Sequence, residues 1–234
     1  MTAHRIGLEG AQRAGNRAGE AWVLNQMGFA LARLRDREAF DRLEQALAIR
    51  REVGDTRGEA QTAITLGEGH LKMHGPGEEA LQYMRRAVDL LEPMGSISLR
   101  SVALNNLGEV YFGLGDLDAA EECYIQARDI CRQLAGGYVE GHALHNLGRV
   151  YHFQHRFDDA VASFTEALGK HRAAGLLWGE AMTLKHLGEV RAQTGDLRDA
   201  RASLVDALRI FGQIGDHAEE AETAALLTSL ASGD

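Results

Sequence analysis

Proline occurs twice and cysteine twice in a chain of 234 residues. So few prolines leave long stretches in which nothing interrupts a helix, because proline removes an amide donor and clashes with the preceding turn. The two cysteines, Cys123 and Cys131, stand eight residues apart on one expected helix, too far to bridge each other, so both are read as half-buried, inert thiols. No apolar run reaches the roughly 18 residues of a membrane span, and the start, "MTAHRIGLEGAQRAGNRAGE", lacks the apolar core of a signal peptide. A cytoplasmic location is the resulting expectation. An excess of basic charge is missing too: the formal charge is −9 and the isoelectric point about 5.6. That balance argues against direct nucleic-acid binding and against a membrane-surface binder. There is no G-x4-G-K-[ST] nucleotide loop, and Ser163, Ser203 and Thr165 lack a histidine and carboxylate in triad roles. No catalyst and no cofactor is nominated.

What is present is 45% apolar and 25% charged residues, a globular composition dominated by Ala, Leu, Glu and Arg, which favours an all-α fold. The chain repeats itself. The pairs Met27-Gly28, Leu66-Gly67, Leu107-Gly108, Leu147-Gly148 and Leu187-Gly188 recur every 39 to 41 residues. Two alanine series keep step with them: Ala39, Ala80, Ala120, Ala160 and Ala200, then Ala46, Ala87, Ala127, Ala167 and Ala207. A fourth series reads Gly54, Gly95, Ala135, Gly175 and Gly215, with Gly15 as its forerunner.

Within a unit, apolar residues at spacings of three and four mark two helices joined by a turn. In the third unit the first helix is expected over Ile97 to Gly113 and the second over Leu117 to Leu134, with Asp116 as N-cap; Asp196 repeats that cap. In "GDTRGEA" a helix-stop glycine precedes Thr56 and Glu59 at capping-box spacing. A glycine inside a helix costs about 1 kcal/mol relative to alanine, so Gly108 and Gly148 are expected to mark close approach of the second helix, opposite alanines such as Ala120. Gly113 has no counterpart in the other units and is read as leaving space for a ligand.

Three local patterns invite chemical readings. "HGPGEEA" is read as a turn with Pro76 at or near a first helical position. The pairs Glu121-Glu122, Asp158-Asp159 and Glu219-Glu220 fall at helix starts, where they complement the helix dipole on a solvated face. "GHALHNLGRVYHFQH" carries His142, His145, His152 and His155. His142 and His152 lie about 15 Å apart along a helix at 1.5 Å per residue, too far for one ion. Only His142 and His145, joined by His186, are in chelating reach, and no carboxylate or cysteine completes a site. The reading is no metal, with the histidines serving polar recognition or a surface that gains charge below about pH 6.5.

A helix pair of this size cannot bury its apolar face alone, so neighbours must stack. Leu107, Gly108, Tyr111, Ala120, Tyr124 and Ala127, and again Leu147, Gly148, Tyr151, Ala160, Phe164 and Ala167, resemble the tetratricopeptide (TPR) pattern in its longer-helix form. Leu31, His70 and Arg191 replace the tyrosine in the other units. The resemblance implies an all-α, right-handed α-solenoid of stacked antiparallel helix pairs, a single array over residues 1–234. Its divisions are a trailing helix at 2–15, repeats at 16–54, 55–95, 96–135, 136–175 and 176–215, and a capping helix and tail at 216–234. It further implies a concave surface built from the first helices. Carried onto this chain, the groove positions are Trp22, Asn25, Phe29, Ala32 and Arg33; Gln61, Ile64, Glu68, Leu71 and Lys72; and Val102, Asn105, Glu109, Phe112 and Gly113. The fourth unit contributes His142, His145, Arg149, His152 and Phe153, and the fifth Met182, Lys185, Glu189, Ala192 and Gln193. Asn106, Asn146 and His186 stand at its shoulder.

The mixture of amide, imidazole, charged and aromatic groups suits a protein segment or peptide as partner. Glu109 and Glu189 oppose an acidic tail. The rhythm of "ALAIRREVGDTRGEA" looks like the C-terminal TPR arrays of bacterial antibiotic-regulatory, STAND-type transcriptional regulators. The expectation is therefore a non-catalytic interaction module from such a protein, missing the first helix of its opening unit and ending naturally. It would bind a partner segment or other domains of its parent. The alternatives are a peptide-pheromone-type receptor and a homodimerisation scaffold.

Overall fold

The computed structural model describes residues 2–133 and 137–232, and every regular element among them is an α-helix. The chain divides into two compact units, Met1–Ala120 and Glu121–Asp234. The first holds α1 (Thr2–Arg13), α2 (Arg17–Arg33), α3 (Glu38–Glu52), α4 (Thr56–His74), α5 (Glu78–Leu91) and α6 (Ile97–Leu114). Helix α7 (Leu117–Gln133) begins there and runs into the second unit, which holds α8 (Gly137–Phe153), α9 (Phe157–Ala173), α10 (Leu177–Gln193), α11 (Leu197–Ile214) and α12 (His217–Ser232). In the first unit α2 packs on α3 and α4 on α5, while α2, α4 and α6 also touch in sequence. In the second, α8 packs on α9 and α10 on α11, with α10 touching α8 and α12. Within each unit these are stacked two-helix repeats.

The repeating glycines are the notches that let the pairs close. A methyl group added to Gly28 would lie 2.4 Å from Leu43 Cγ and 3.0 Å from the Ala39 carbonyl oxygen. At Gly67 it would meet Met84 Cε at 2.8 Å, at Gly148 the Phe164 ring at 2.7 Å, and at Gly188 Leu204 Cγ at 2.7 Å. The close approach expected of Gly148 is therefore present, but its occupant is the bulky residue one turn beyond the alanine. Ala39, Ala80, Ala120, Ala160 and Ala200 are buried beside these contacts, because the backbones leave no room there for more than a methyl. Phe164 is fully buried, which contributes about 1.5–3 kcal/mol.

Caps set the helix boundaries. Asp116 accepts from the Ala119 amide at 3.2 Å and Asp196 from that of Asp199 at 3.4 Å, as expected. The capping box at Thr56 and Glu59 does not form. Asp55 is the N-cap, accepting from the Gly58 amide at 2.9 Å, so Thr56 is already helical. Glu59 pairs instead with Arg51 at 2.9 Å and Arg86 at 3.2 Å. Gly113 also needs correcting: an added methyl would lie 2.7 Å from Pro76 Cγ, so its gap is filled by the proline of the α4–α5 turn and not left for a ligand. Pro76 itself precedes the N-cap Gly77 of α5. Of the paired acids, Asp158-Asp159 and Glu219-Glu220 occupy first turns, whereas Glu121 lies further into α7 and accepts from Arg156 at 3.0 Å. Cys123 and Cys131 are both buried.

At the position eight after the first residue of the Leu-Gly or Met-Gly pair the turn takes left-handed backbone in four units, and in the second it falls one residue later, at Gly75 with φ 83°. Gly115 and Gly195 supply it at φ 82° and 86°, while Arg35 and His155 are held there at 57° and 59°. His155 is thus a turn residue, separated in role from the other histidines. Where the tyrosine is replaced, other contacts stand in: the His70 ring lies 4.3 Å from that of Phe40, and Arg191 donates to Ser203 Oγ at 2.9 Å.

Substituting Gly148 by Ala forces the Phe164 ring to move and is expected to destabilise the second unit by about 1–3 kcal/mol, the usual cost of overpacking. Thermal unfolding followed by circular dichroism measures it, and Gly169→Ala, at a site with nothing within 4 Å, is the control expected to leave the melting temperature unchanged or raised.

Candidate functional site

The face formed by α2 and α4 carries a cavity of about 260 Å³ lined by Phe29, Ala32, Arg33, Thr65, Glu68, Gly69 and Lys72. Five of these seven are groove positions named from the sequence; Thr65 and Gly69 are not. Phe29 is 42% exposed, and Trp22, two turns earlier on α2, 56%, so neither aromatic is consumed by packing between helices. Glu68 accepts a 2.6 Å hydrogen bond from Asn106 Nδ2 of α6. Burial raises the Glu68 pKa, and the Asn106 bond opposes that rise. Arg33, Gln61 and Lys72 are exposed, and Asn105, Glu109 and Phe112 half-buried. Asn25 is buried, and among the described residues no donor reaches its Oδ1. Ile64 belongs to the core with Ala60, Ala63 and Leu91, so it is not a groove residue.

In the second unit several expected partner-binding residues are turned to packing. His145 is buried, its Nδ1 is 2.9 Å from Thr183 Oγ1, and its ring meets those of Phe164, His171 and His186 edge-on. The His186 ring stacks on Phe164, and Met182 O lies 3.0 Å from its Nδ1. The His142 ring meets His171 at 5.0 Å. His171, absent from the sequence reading, is 1% exposed between Gly141 and Gly179, and among the described residues neither of its ring nitrogens has a hydrogen-bond partner. Burial lowers the pKa of all four, to about 4 for His171 and His186. The expectation of a surface gaining charge below about pH 6.5 is therefore corrected for His142, His145 and His186, whose partial or full burial favours the neutral ring. Lys185 is likewise buried, bound to Glu219 at 2.8 Å and Glu222 at 2.9 Å. Asn146 is buried and accepts from Arg149 at 3.1 Å. His152 Nε2 is 3.0 Å from Gln193 Oε1, and Phe153 is 64% exposed.

The second unit holds its own cavity, about 400 Å³, lined by Glu189, Ala192 and Gln193 of α10, Leu197 and Leu204 of α11, and Leu226, Ser229 and Leu230 of α12. Both cavities share one lining position. The position five after the Leu of each Leu-Gly pair is Ala32 or Ala192 where a cavity opens, and Leu71, Phe112 or His152 in the other units.

Stacked two-helix repeats with aromatic and charged groups on the face of their first helices define a helical repeat protein of the solenoid class. A family model of the tetratricopeptide repeat matches residues 8–92 and 99–172, and the chain belongs to that family. Among curated proteins none is significantly similar in sequence. Solved structures similar in fold include the following three. BtubC from P. vanneervenii is 19% identical over 92% of this chain and 90% of its own, with TM-score 0.73. Aspartyl phosphate phosphatase F from Bacillus subtilis is 15% identical, covering 97% of this chain and 60% of its own, with TM-score 0.80. A signal-transduction ATPase with numerous domains (STAND) and a tetratricopeptide-repeat sensor, from Pyrococcus horikoshii, is 14% identical over 93% of this chain and 34% of its own, with TM-score 0.69. At these identities the likeness is one of fold. Among the described residues no helix is long and apolar enough to cross a membrane.

The histidine cluster makes a pH prediction with a defined sign. Because folding depresses these pKa values, the unfolded chain binds more protons than the folded one between about pH 6.5 and 4, so stability present above pH 6.5 is lost as pH falls through that window. Leu91 and Phe211 occupy the position of His171 in other repeats, and His171→Leu is expected to flatten the fall in melting temperature across that window.

Proposed function

We propose that the chain is a non-catalytic interaction module that binds an extended protein segment across the first-helix face of its N-terminal unit. The observation that carries this reading is the α2–α4 cavity, where exposed Phe29 stands with Arg33, Lys72 and the tethered carboxyl of Glu68. Such a set pairs an apolar anchor point with groups able to fix a backbone or a polar side chain, the usual composition of a recognition pocket. The tetratricopeptide fold serves protein–protein interaction, which supports the class. The finer reading is a regulatory or sensor region of a larger bacterial signalling or transcriptional regulator, acting in the cytoplasm. It is supported by the "ALAIRREVGDTRGEA" rhythm and by fold likeness to a STAND protein whose repeats are described as a sensor.

The test is selection of binding peptides from a random display library on the whole chain, followed by titration against the double variant Phe29→Ser, Lys72→Glu. Both side chains are exposed, so the melting temperature is expected to hold while affinity falls about tenfold or more, as for loss of an anchor residue. Undiminished affinity in the variant would remove the α2–α4 face from the reading. His145, buried and bonded to Thr183, is unsuited to such a test, because its replacement disturbs the core.

A further inference from the structure

The cavity of the second unit has a chemistry distinct from that of the α2–α4 face. It is lined by leucines from two helices, Leu197 and Leu204 of α11 with Leu226 and Leu230 of α12, and by Ala192 of α10. At about 400 Å³ it lies within the range of about 300–1,000 Å³ typical of ligand pockets. One ionisable group lines it, Glu189. Among the described residues no hydrogen bond or salt bridge engages that carboxyl. The ammonium that neighbours it, Lys185, is already bound to Glu219 and Glu222. Lys185 thus holds two carboxylates, and Glu189, one turn along α10, is bonded neither to it nor to any other cation among the described residues. Burial, the first cause, and the charges of Glu222 and Glu219 raise its pKa, against the opposing pull of Lys185.

We propose that the α10–α11–α12 cavity is a binding site for a peptide segment in which an apolar side chain stands beside a lysine or arginine. The leucine walls take the apolar group, and the cation meets Glu189. An anionic ligand is disfavoured by Glu189, Glu219 and Glu222 together, and a neutral apolar ligand leaves a half-buried carboxyl without a partner, a costly arrangement. The cation supplies the partner that Lys185, held elsewhere, does not. This rests on the reading of the chain as an interaction module but not on the α2–α4 face, from which it differs in lining residues and in charge.

Isothermal titration of the full chain with three tetrapeptides, each acetylated and amidated and made of three leucines plus one lysine, glutamine or glutamate, tests it. The lysine peptide is expected to bind about tenfold more tightly than the glutamine peptide, as for a gained charge-assisted hydrogen bond, and the glutamate peptide most weakly. Glu189→Gln is expected to abolish the preference for lysine while leaving the melting temperature unchanged or raised. Ser229→Trp, at an exposed position on the cavity wall, is expected to block all three peptides. Phe29→Ser, Lys72→Glu is expected to change none of these affinities, which separates this site from the α2–α4 face. Absence of binding by the lysine peptide, equal affinity for lysine and glutamine, persistence of the preference in Glu189→Gln, or binding unaffected by Ser229→Trp would each overturn the assignment.

Discussion

Both units depend on one contact, that between the glycine of a Leu-Gly pair and the bulky residue of the following helix. Leu43 over Gly28, Met84 over Gly67, Phe164 over Gly148 and Leu204 over Gly188 each occupy the space a side chain would take. This closeness offsets the helical cost of glycine and explains why alanine recurs one turn earlier on the partner helix. It also has a consequence for function. Once the pair closes on that side, part of the first helix's other face in the first unit stays open to solvent, while Asn25 and Ile64 on it are buried. Phe29, Arg33 and Lys72 occupy the open part.

The junctions between repeats use charge where the pairs use shape. Residues eight apart, one ending a second helix and one opening the next first helix, bond at Gln12–Glu20, Arg51–Glu59, Arg132–Glu140 and Arg172–Glu180. At Arg100–Glu92 the polarity is reversed. Glu59 and Glu140 are nearly buried, and each gains a second cation, Arg86 or Lys170. A desolvated carboxylate needs that full set of partners. Arg51 and Glu59 stand in the very stretch that marks the repeat rhythm, so the register of the junction was readable there even though the bond was not.

The helical class, the starts of α6 and α7 and the caps at Asp116 and Asp196 were legible in the chain because they rest on local chemistry, the spacing of apolar residues and Asp at a cap. The expected end of α7 at Leu134 lies outside the described residues. The errors arose where the deciding neighbour is distant in sequence. Pro76 fills the notch at Gly113, 37 positions away, and no local pattern announces it. Asp55 outcompetes Thr56 as a cap by one residue, a margin that spacing alone does not resolve. The first-helix positions of the fourth and fifth units were assigned to a groove by register, yet His145 and Lys185 are buried, since Thr183 and the acids of α12 reach them from the next helix.

The amino-acid sequence by itself determined that the chain is helical, repetitive and closed at fixed glycines, since the apolar periodicity and the recurring small residues place the close contact at the same register in each unit. Only the tertiary structure decided which histidines lose water, which acid is left without a partner, and where cavities open. Those outcomes depend on residues about 40 positions apart meeting across helices. Ala32 and Ala192 look alike in the chain, and each lines a cavity together with residues that a neighbouring helix places beside it.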